Sequence, residues 1–197
     1  MHRNVKMMKI ITTGNPTYGL AQGIEQTFQS SFASRSTGFD LSTDDGIQNF
    51  CHVALNYDVV IINCYTEKMN NYSQARLLHE LYVQANDGNK KIHFICIGSI
   101  SDHINTEQPW IKYISYGAEK LALQRLCETI NHNREHMSPN IKCTYVSLGH
   151  MHTPLVDKYH PTEVKLNTKY VATVIKWVID APECIESITL TKDKQNG

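Results

Sequence analysis

Short apolar runs rich in β-branched residues alternate with helical patterns along the whole chain, and no other feature constrains the fold as much. The runs lie at Met8 to Thr12, Asp58 to Cys64, Lys91 to Ser99, Ile141 to Ser147 and Cys184 to Thr191, with a more polar one near Ser31 to Arg35. Helical patterns fall between them at Leu20 to Gln29, Asp45 to Leu55, Ser73 to Ala85, Ile114 to His132 and Asn167 to Ile179. In the fourth, Leu123, Leu126, Cys127 and Ile130 follow the i, i+3, i+4, i+7 spacing of a buried stripe. Strand and helix repeated in this way predict an α/β fold, a doubly wound parallel sheet with helices on both faces. The uninterrupted Val59-Val60-Ile61-Ile62 fits a strand buried on both sides. The polar stretch Asn131 to Asn140 reads as a helix-to-strand loop. With 197 residues and no repeat or linker, a single domain over 1–197 is expected.

Charge and composition narrow the function classes. Nineteen basic and nineteen acidic side chains cancel without a Lys/Arg run, which speaks against nucleic acid or an anionic membrane as the main partner. The six cysteines show no CxxC or paired spacing and read as small buried hydrophobes of a reducing cytosol, not as disulfides or zinc ligands. Among the ten histidines, His150 and His152 flank Met151, and His132 and His136 share helical spacing. None forms a recognisable metal triplet with an acidic residue, so no metal site is predicted. Trp110 and Trp177 read as packing residues, the latter in the pattern Val174, Trp177, Val178. No apolar stretch reaches membrane-spanning length and the N-terminal run is too brief for a signal peptide, so a soluble, cytoplasmic protein is expected.

In open parallel sheets ligands sit beyond the carboxyl ends of the strands, at the switch point, and the chemistry-bearing segments fall there. The first strand runs into Thr13-Gly14-Asn15-Pro16-Thr17-Tyr18-Gly19-Leu20-Ala21. Gly14 and Gly19 remove side chains that would block a close approach, and the turn presents backbone N–H groups and a helix start to a pyrophosphate. The same turn also serves as an ordinary strand-to-helix connection. Phe39-Asp40-Leu41 suits an adenine edge and Arg35-Ser36-Thr37 a ribose 2′-phosphate, an arginine there favouring NADP over NAD; a solvated arginine is the plainer alternative. Tyr116 and Lys120 lie four apart in a helical stretch and so share one face, where an ammonium lowers a phenol's pKa and makes it a usable proton donor. Such spacing also occurs in solvated pairs.

These segments, taken in order, resemble the short-chain dehydrogenase/reductase family from Lys9 to Thr191. The Thr13-Gly14 turn resembles the TGxxxGxG fingerprint, Asp40-Leu41 the adenine-contacting pair, and Asp58 to Tyr65 the DVLINNAG strand. Asn71 followed by Leu77-Leu78 is similar to the VNxxGxxxL helix, Phe94 to Ser99 to the strand bearing the active serine, and Tyr116 to Lys120 to YxxxK. Ser147 to Pro154 resembles the PGxVxTP loop, and Cys184 to Leu190 the last strand of shorter members. The resemblance implies a Rossmann-type fold, NADP(H) rather than NAD(H) as cofactor, and reduction of a small carbonyl compound or oxidation of the matching alcohol.

By the same resemblance Tyr116 donates the proton, Ser99 hydrogen-bonds the carbonyl oxygen, Lys120 tunes Tyr116 and holds the nicotinamide ribose, and Asn71 anchors a relay water. The cofactor would lie along Gly14, Asn15, Thr17, Tyr18, Gly19 and Leu20, then Arg35, Ser36, Asp40 and Leu41. It would also meet Asn63, Cys64 and Tyr65, and then Gly149, Met151 and Thr153 in the last loop, which holds the nicotinamide, besides Tyr116 and Lys120. Relatives commonly pair through the helices carrying Asn71 and Tyr116, which implies a homodimer or homotetramer. Departures stand beside the matches: an extra residue between Gly14 and Gly19, Ala21 for the last glycine, Ile62 and Tyr65 within the NNAG segment, Leu148 for proline, and a shortened lid region at Leu155 to Asn167. They leave open a second reading, a dinucleotide-binding sensor or scaffold without turnover.

Overall fold

The computed structural model describes residues 8–64, 73–100, 111–153, 156–157, 162 and 164–192, with the backbone alone for 111–115. Each apolar run becomes a strand: β1 (Ile10–Thr13), β2 (Ser31–Ala33), β3 (Val59–Ile62), β4 (Ile92–Ile97), β5 (Ile141–Leu148) and β6 (Ser187–Leu190). They pair in parallel in the order β2-β1-β3-β4-β5-β6. The register sets Ile11 against Ser31 and Val60, Ile95 against Ile61 and Thr144, and Leu148 against Leu190. Parallel neighbours need crossovers, and these are helices. The helices are α1 (Gly19–Glu25), α2 (Asp44–Ala54), α3 (Gln74–Asp87), α4 (Ile111–His132), α5 (Arg134–Met137) and α6 (Thr168–Asp180). This is the predicted doubly wound, Rossmann-like sheet.

Alternation along the strands divides the core between two helical layers. Val60, Ile62, Phe94, Cys96, Cys143 and Tyr145 face α2, α3 and α4, meeting Ile47, Phe50, Leu77, Leu81, Leu123 and Cys127. Val59, Ile61, Ile95, Ile97 and Val146 point the other way, onto Leu20 and Ile24 of α1 and Val171, Ile175 and Val178 of α6. Each such Leu, Ile or Val contributes about 1.5–3 kcal/mol on burial, so both layers are needed to hold strands as short as these. No described helix is long and apolar enough to cross a membrane.

Three expectations change. The first helix stops at Glu25, not Gln29, because the Thr27 and Phe28 amides both fold back on the Ile24 carbonyl and Phe28 turns onto the core. The stretch Asn131 to Asn140 contains the single turn α5. Trp177 is not a packing residue: the inward stripe of α6 is Val171, Ala172, Ile175, Val178 and Ile179, which leaves position 177 on the outer surface, 59 % exposed. Trp110 lies outside the described residues.

The chain leaves β1 outward to β2, then returns past β1 to β3. Successive crossovers therefore diverge between β1 and β3, and a crevice opens at their carboxyl ends.

Candidate functional site

Thr13, at the end of β1, ties the two sides of this switch point together. Its buried Oγ1 accepts hydrogen bonds from the amides of Asn63 at 2.9 Å and Cys64 at 3.0 Å, fixing the loop after β3 to the glycine turn. Gly14 then takes φ +124°, a conformation that favours glycine, and its amide donates to the Ala33 carbonyl at 2.8 Å. A Cβ at Gly14 would lie 3.1 Å from Asn63 Nδ2, and one at Gly19 (φ +61°) would lie 3.5 Å from Thr153 Cγ2. The loops after β1, β3 and β5 thus close on one another. Asn15 caps its own turn, its Oδ1 accepting from the Thr17 amide and hydroxyl at 2.9 and 2.8 Å, while Tyr18 stands exposed. The Leu20 and Leu41 side chains belong to the core, so only their backbones can face a ligand.

At the outer end, Arg35 Nε and Asp40 Oδ1 pair at 3.2 Å in the open. Asp40 also accepts from the Ser42 hydroxyl at 2.6 Å and the Ser42 amide at 3.1 Å, and these bonds first, then Arg35, hold its carboxyl below the usual range. Ser36 Oγ is bonded to Ser34 Oγ at 2.7 Å within the same 3₁₀ turn, Arg35–Thr37. These residues form one exposed polar lip.

At the inner end the helical spacing of Tyr116 and Lys120 brings them together on α4, with Lys120 Nζ 5.4 Å from the centroid of the Tyr116 ring. Lys120 is 2 % exposed. Its ammonium donates to the Ile97 carbonyl at 2.8 Å and, by a shorter bond, to Gln74 Oε1. Since Ile97 ends β4 and Ser99 follows two residues later, Lys120 is tethered to the strand end that carries the buried serine. A buried ammonium is costly unless paired and hydrogen-bonded, and these carbonyl oxygens offset part of that cost. Lys120 is thus held inside the protein by Gln74 and the strand end.

Two residues not anticipated from the sequence set this geometry. Gln74, fully buried at the start of α3, accepts from Lys120 and donates through Nε2 to the Ile62 carbonyl at 3.2 Å, bridging the ends of β3 and β4. It sits in the stripe Gln74, Leu77, Leu78, Leu81, Ala85, and one polar residue on an apolar face was the signal available. Glu119, inside the Tyr116–Lys120 motif, caps α3: its carboxylate accepts from Ser73 Oγ at 2.9 Å and from the Ala75 amide at 3.1 Å. That cap fixes α3 against α4 where Gln74 meets Lys120.

The loop after β5 completes the rim. The Gly149 amide donates to the Leu190 carbonyl at 2.8 Å, Met151 bridges to Leu166, and the Thr153 Oγ1 and carbonyl accept from the amides of Val156 and Asp157 at 3.2 and 2.8 Å. Asp157 in turn pairs with the buried Lys165 at 2.7 Å, with His152 at 3.6 Å; the Lys165 bond first lowers its carboxyl. Nearby, Ser147 Oγ is a buried polar atom with no hydrogen-bond partner among the described residues. Asn71 and Tyr65 lie outside the described residues.

No protein-family profile and no curated protein matches the sequence. Solved structures do. A short-chain dehydrogenase from Streptomyces avermitilis is similar with a TM-score of 0.66 at 17 % identity, over 94 % of this chain and 89 % of its own. The closed form of a serine dehydrogenase complexed with NADP+ gives 0.69 at 14 % identity, covering 96 % and 98 %. A short-chain dehydrogenase from Burkholderia cenocepacia J2315 in complex with NADP gives 0.70 at 12 % identity, covering 93 % and 88 %. At such identities the likeness is one of architecture, and the chain has the fold of the short-chain dehydrogenases.

Proposed function

We propose that the chain is an NADP-preferring oxidoreductase of the short-chain dehydrogenase/reductase type, reducing a small ketone or aldehyde or oxidising the matching alcohol. The observation that carries this reading is the Lys120 ammonium, placed over the Tyr116 ring at 5.4 Å from its centroid.

Two features of the crevice support a dinucleotide there. Gly14 and Gly19 leave space between the three loops that a Cβ would narrow, and the Arg35–Asp40 lip offers a guanidinium to a 2′-phosphate. When bound, the reduced cofactor supplies a hydride to the carbonyl carbon. Negative charge then grows on the substrate oxygen. Ser99 hydrogen-bonds that oxygen and Tyr116 gives it a proton, while the Lys120 charge stabilises the phenolate left behind. Gln74 holds Lys120 in position, and Asn71 anchors the water through which the proton is replaced. Assembly as a homodimer or homotetramer through the helices that bear these groups belongs to the same proposal.

The test is NADPH oxidation over a panel of aldehydes and ketones, beside Tyr116→Phe. A positioned proton donor contributes roughly 10²–10⁴-fold, so the variant should lose that much turnover while binding NADPH as the parent does. A Tyr116→Phe protein that keeps its rate removes the mechanism. The engagement of Lys120 by Gln74 and Ile97 favours one competing reading, a binding protein without turnover. Tight NADPH binding with no oxidation by the parent on any substrate would establish it.

A further inference from the structure

One residue deeper in β4 than the Lys120 anchor, three cysteines from three elements converge. Cys96 comes from β4, Cys143 from β5 and Cys127 from α4, and none is more than 1 % exposed. Their sulfurs all lie within 4.8 Å of one another, Cys96 and Cys143 at 4.0 Å. An ion held in the plane of three sulfurs by bonds of about 2.3 Å requires them about 4.0 Å apart, so the pocket is already near that size. We propose that Cys96, Cys127 and Cys143 form a buried binding site for a soft, thiophilic monovalent ion of the copper(I) class.

Ligand type and charge both select this ion. Three sulfurs without an oxygen or imidazole favour copper(I) over hard cations, and among the described residues the cluster has no fourth ligand to complete a tetrahedral zinc site. Two thiolates and one thiol around a monovalent ion leave a single negative charge. The Lys120 ammonium, bonded to the carbonyl of Ile97 next to Cys96, supplies the balancing positive charge. Loading as two thiolates and one thiol releases two protons to solvent. Small-residue packing alone explains buried cysteines one at a time; it does not require three sulfurs to meet beside a buried cation.

This inference does not depend on the oxidoreductase reading. The reduced full chain is titrated anaerobically with copper(I) against a competing chromophoric chelator, both as purified and after refolding in the presence of the ion. Binding of one ion per chain is expected, with X-ray absorption reporting sulfur ligands only, at about 2.3 Å. Cys127→Val and Cys143→Val should each weaken binding at least 100-fold, while Cys64→Ser with Cys184→Ser should leave it unchanged. Failure to bind after refolding, nitrogen ligands in the absorption spectrum, or binding that survives Cys127→Val and Cys143→Val together would each overturn it. A far-ultraviolet dichroism spectrum equal to the parent's is the check that each variant has folded.

Discussion

Replacing Gln74 by methionine tests the inner end of the crevice most sharply, because the side chain keeps its volume and loses only its polar atoms. Two bonds disappear, Lys120 Nζ to Oε1 and Nε2 to the Ile62 carbonyl, in a place where neither Gln74 nor Lys120 has access to water. A hydrogen bond to a charged group is worth about 1.5–3 kcal/mol and a neutral one about 0.5–1.5 kcal/mol, so Gln74→Met should cost about 2–4 kcal/mol. For a chain of this size that is a fall in Tm of roughly 5–12 °C. Urea unfolding at pH 7 measures it, with an unchanged slope showing that the native and denatured states keep their compactness. The stronger test is a cycle with Lys120→Met. Once the ammonium is gone the glutamine has nothing to hold, and the double variant should regain about 2 kcal/mol relative to the sum of the single changes. A Gln74→Met protein within about 0.5 kcal/mol of the parent, or a cycle that is additive within that error, would refute the coupling of Gln74 to Lys120.

Other perturbations follow from the same structure. His93 is buried with Nε2 2.8 Å from Thr144 Oγ1, and burial first, then Lys142, pushes its pKa from 6.5 down to about 4. The folded state therefore resists protonation: its stability is intact above pH 6.5 and declines by up to about 3 kcal/mol as pH falls toward 4, a decline that His93→Gln should flatten in paired urea titrations at pH 7 and 4.5. A Cβ at Gly98 would overlap the Tyr145 ring, itself held by a bond from its hydroxyl to the Lys120 carbonyl at 3.2 Å. Gly98→Ala should cost about 2–3 kcal/mol in thermal or urea unfolding, and Tyr145→Val should recover part of that loss; a Gly98→Ala protein as stable as its parent contradicts the packing. The Arg35–Asp40 pair is solvent-exposed, so Arg35→Ala should change stability by less than about 1 kcal/mol. If Arg35 meets a 2′-phosphate, the same variant should weaken NADPH binding at least tenfold in a fluorescence titration with NADH binding unchanged, and equal weakening of both removes the cofactor preference.

The strands were legible because their signal is local. Val59-Val60-Ile61-Ile62 and the run through Phe94 and Ile95 carry β-branched and aromatic side chains on both faces, which only a covered parallel sheet accommodates. Tyr116 and Lys120 were legible for a similar reason, since helical spacing alone puts them on one face. What escaped depends on partners far along the chain. Glu119 caps a helix that starts forty-odd residues earlier, and Gln74 takes its meaning only when α4 lies beside α3. The three sulfurs meet because Cys143 pairs with Phe94, placing it diagonal to Cys96 on the adjacent strand, and because α4 covers that face. No spacing among Cys96, Cys127 and Cys143 announces such a meeting. Trp177 failed differently: its helix was legible but the phase was not, and one residue of phase moves a side chain about 100° around the axis.

The cost of the polar groups at the carboxyl end of the sheet is itself an argument about what that end is for. Thr13, Gln74, Ser99, Lys120 and Ser147 are all buried there, where apolar residues of like volume would pack without any desolvation penalty. Ser147 has no hydrogen-bond partner among the described residues. Replacing a buried ion or hydrogen-bonded pair by hydrophobic residues is often neutral or stabilising, so stability alone gives no reason to retain Lys120 with Gln74 in place of two methionines. The double variant is thus where stability and chemistry should part: a fold that loses less stability than the two single changes summed, still able to bind NADPH, and without turnover on any carbonyl the parent reduces. Should it keep the parent's rate, the polar groups at this end serve some purpose other than proton transfer, and the crevice is a binding site only.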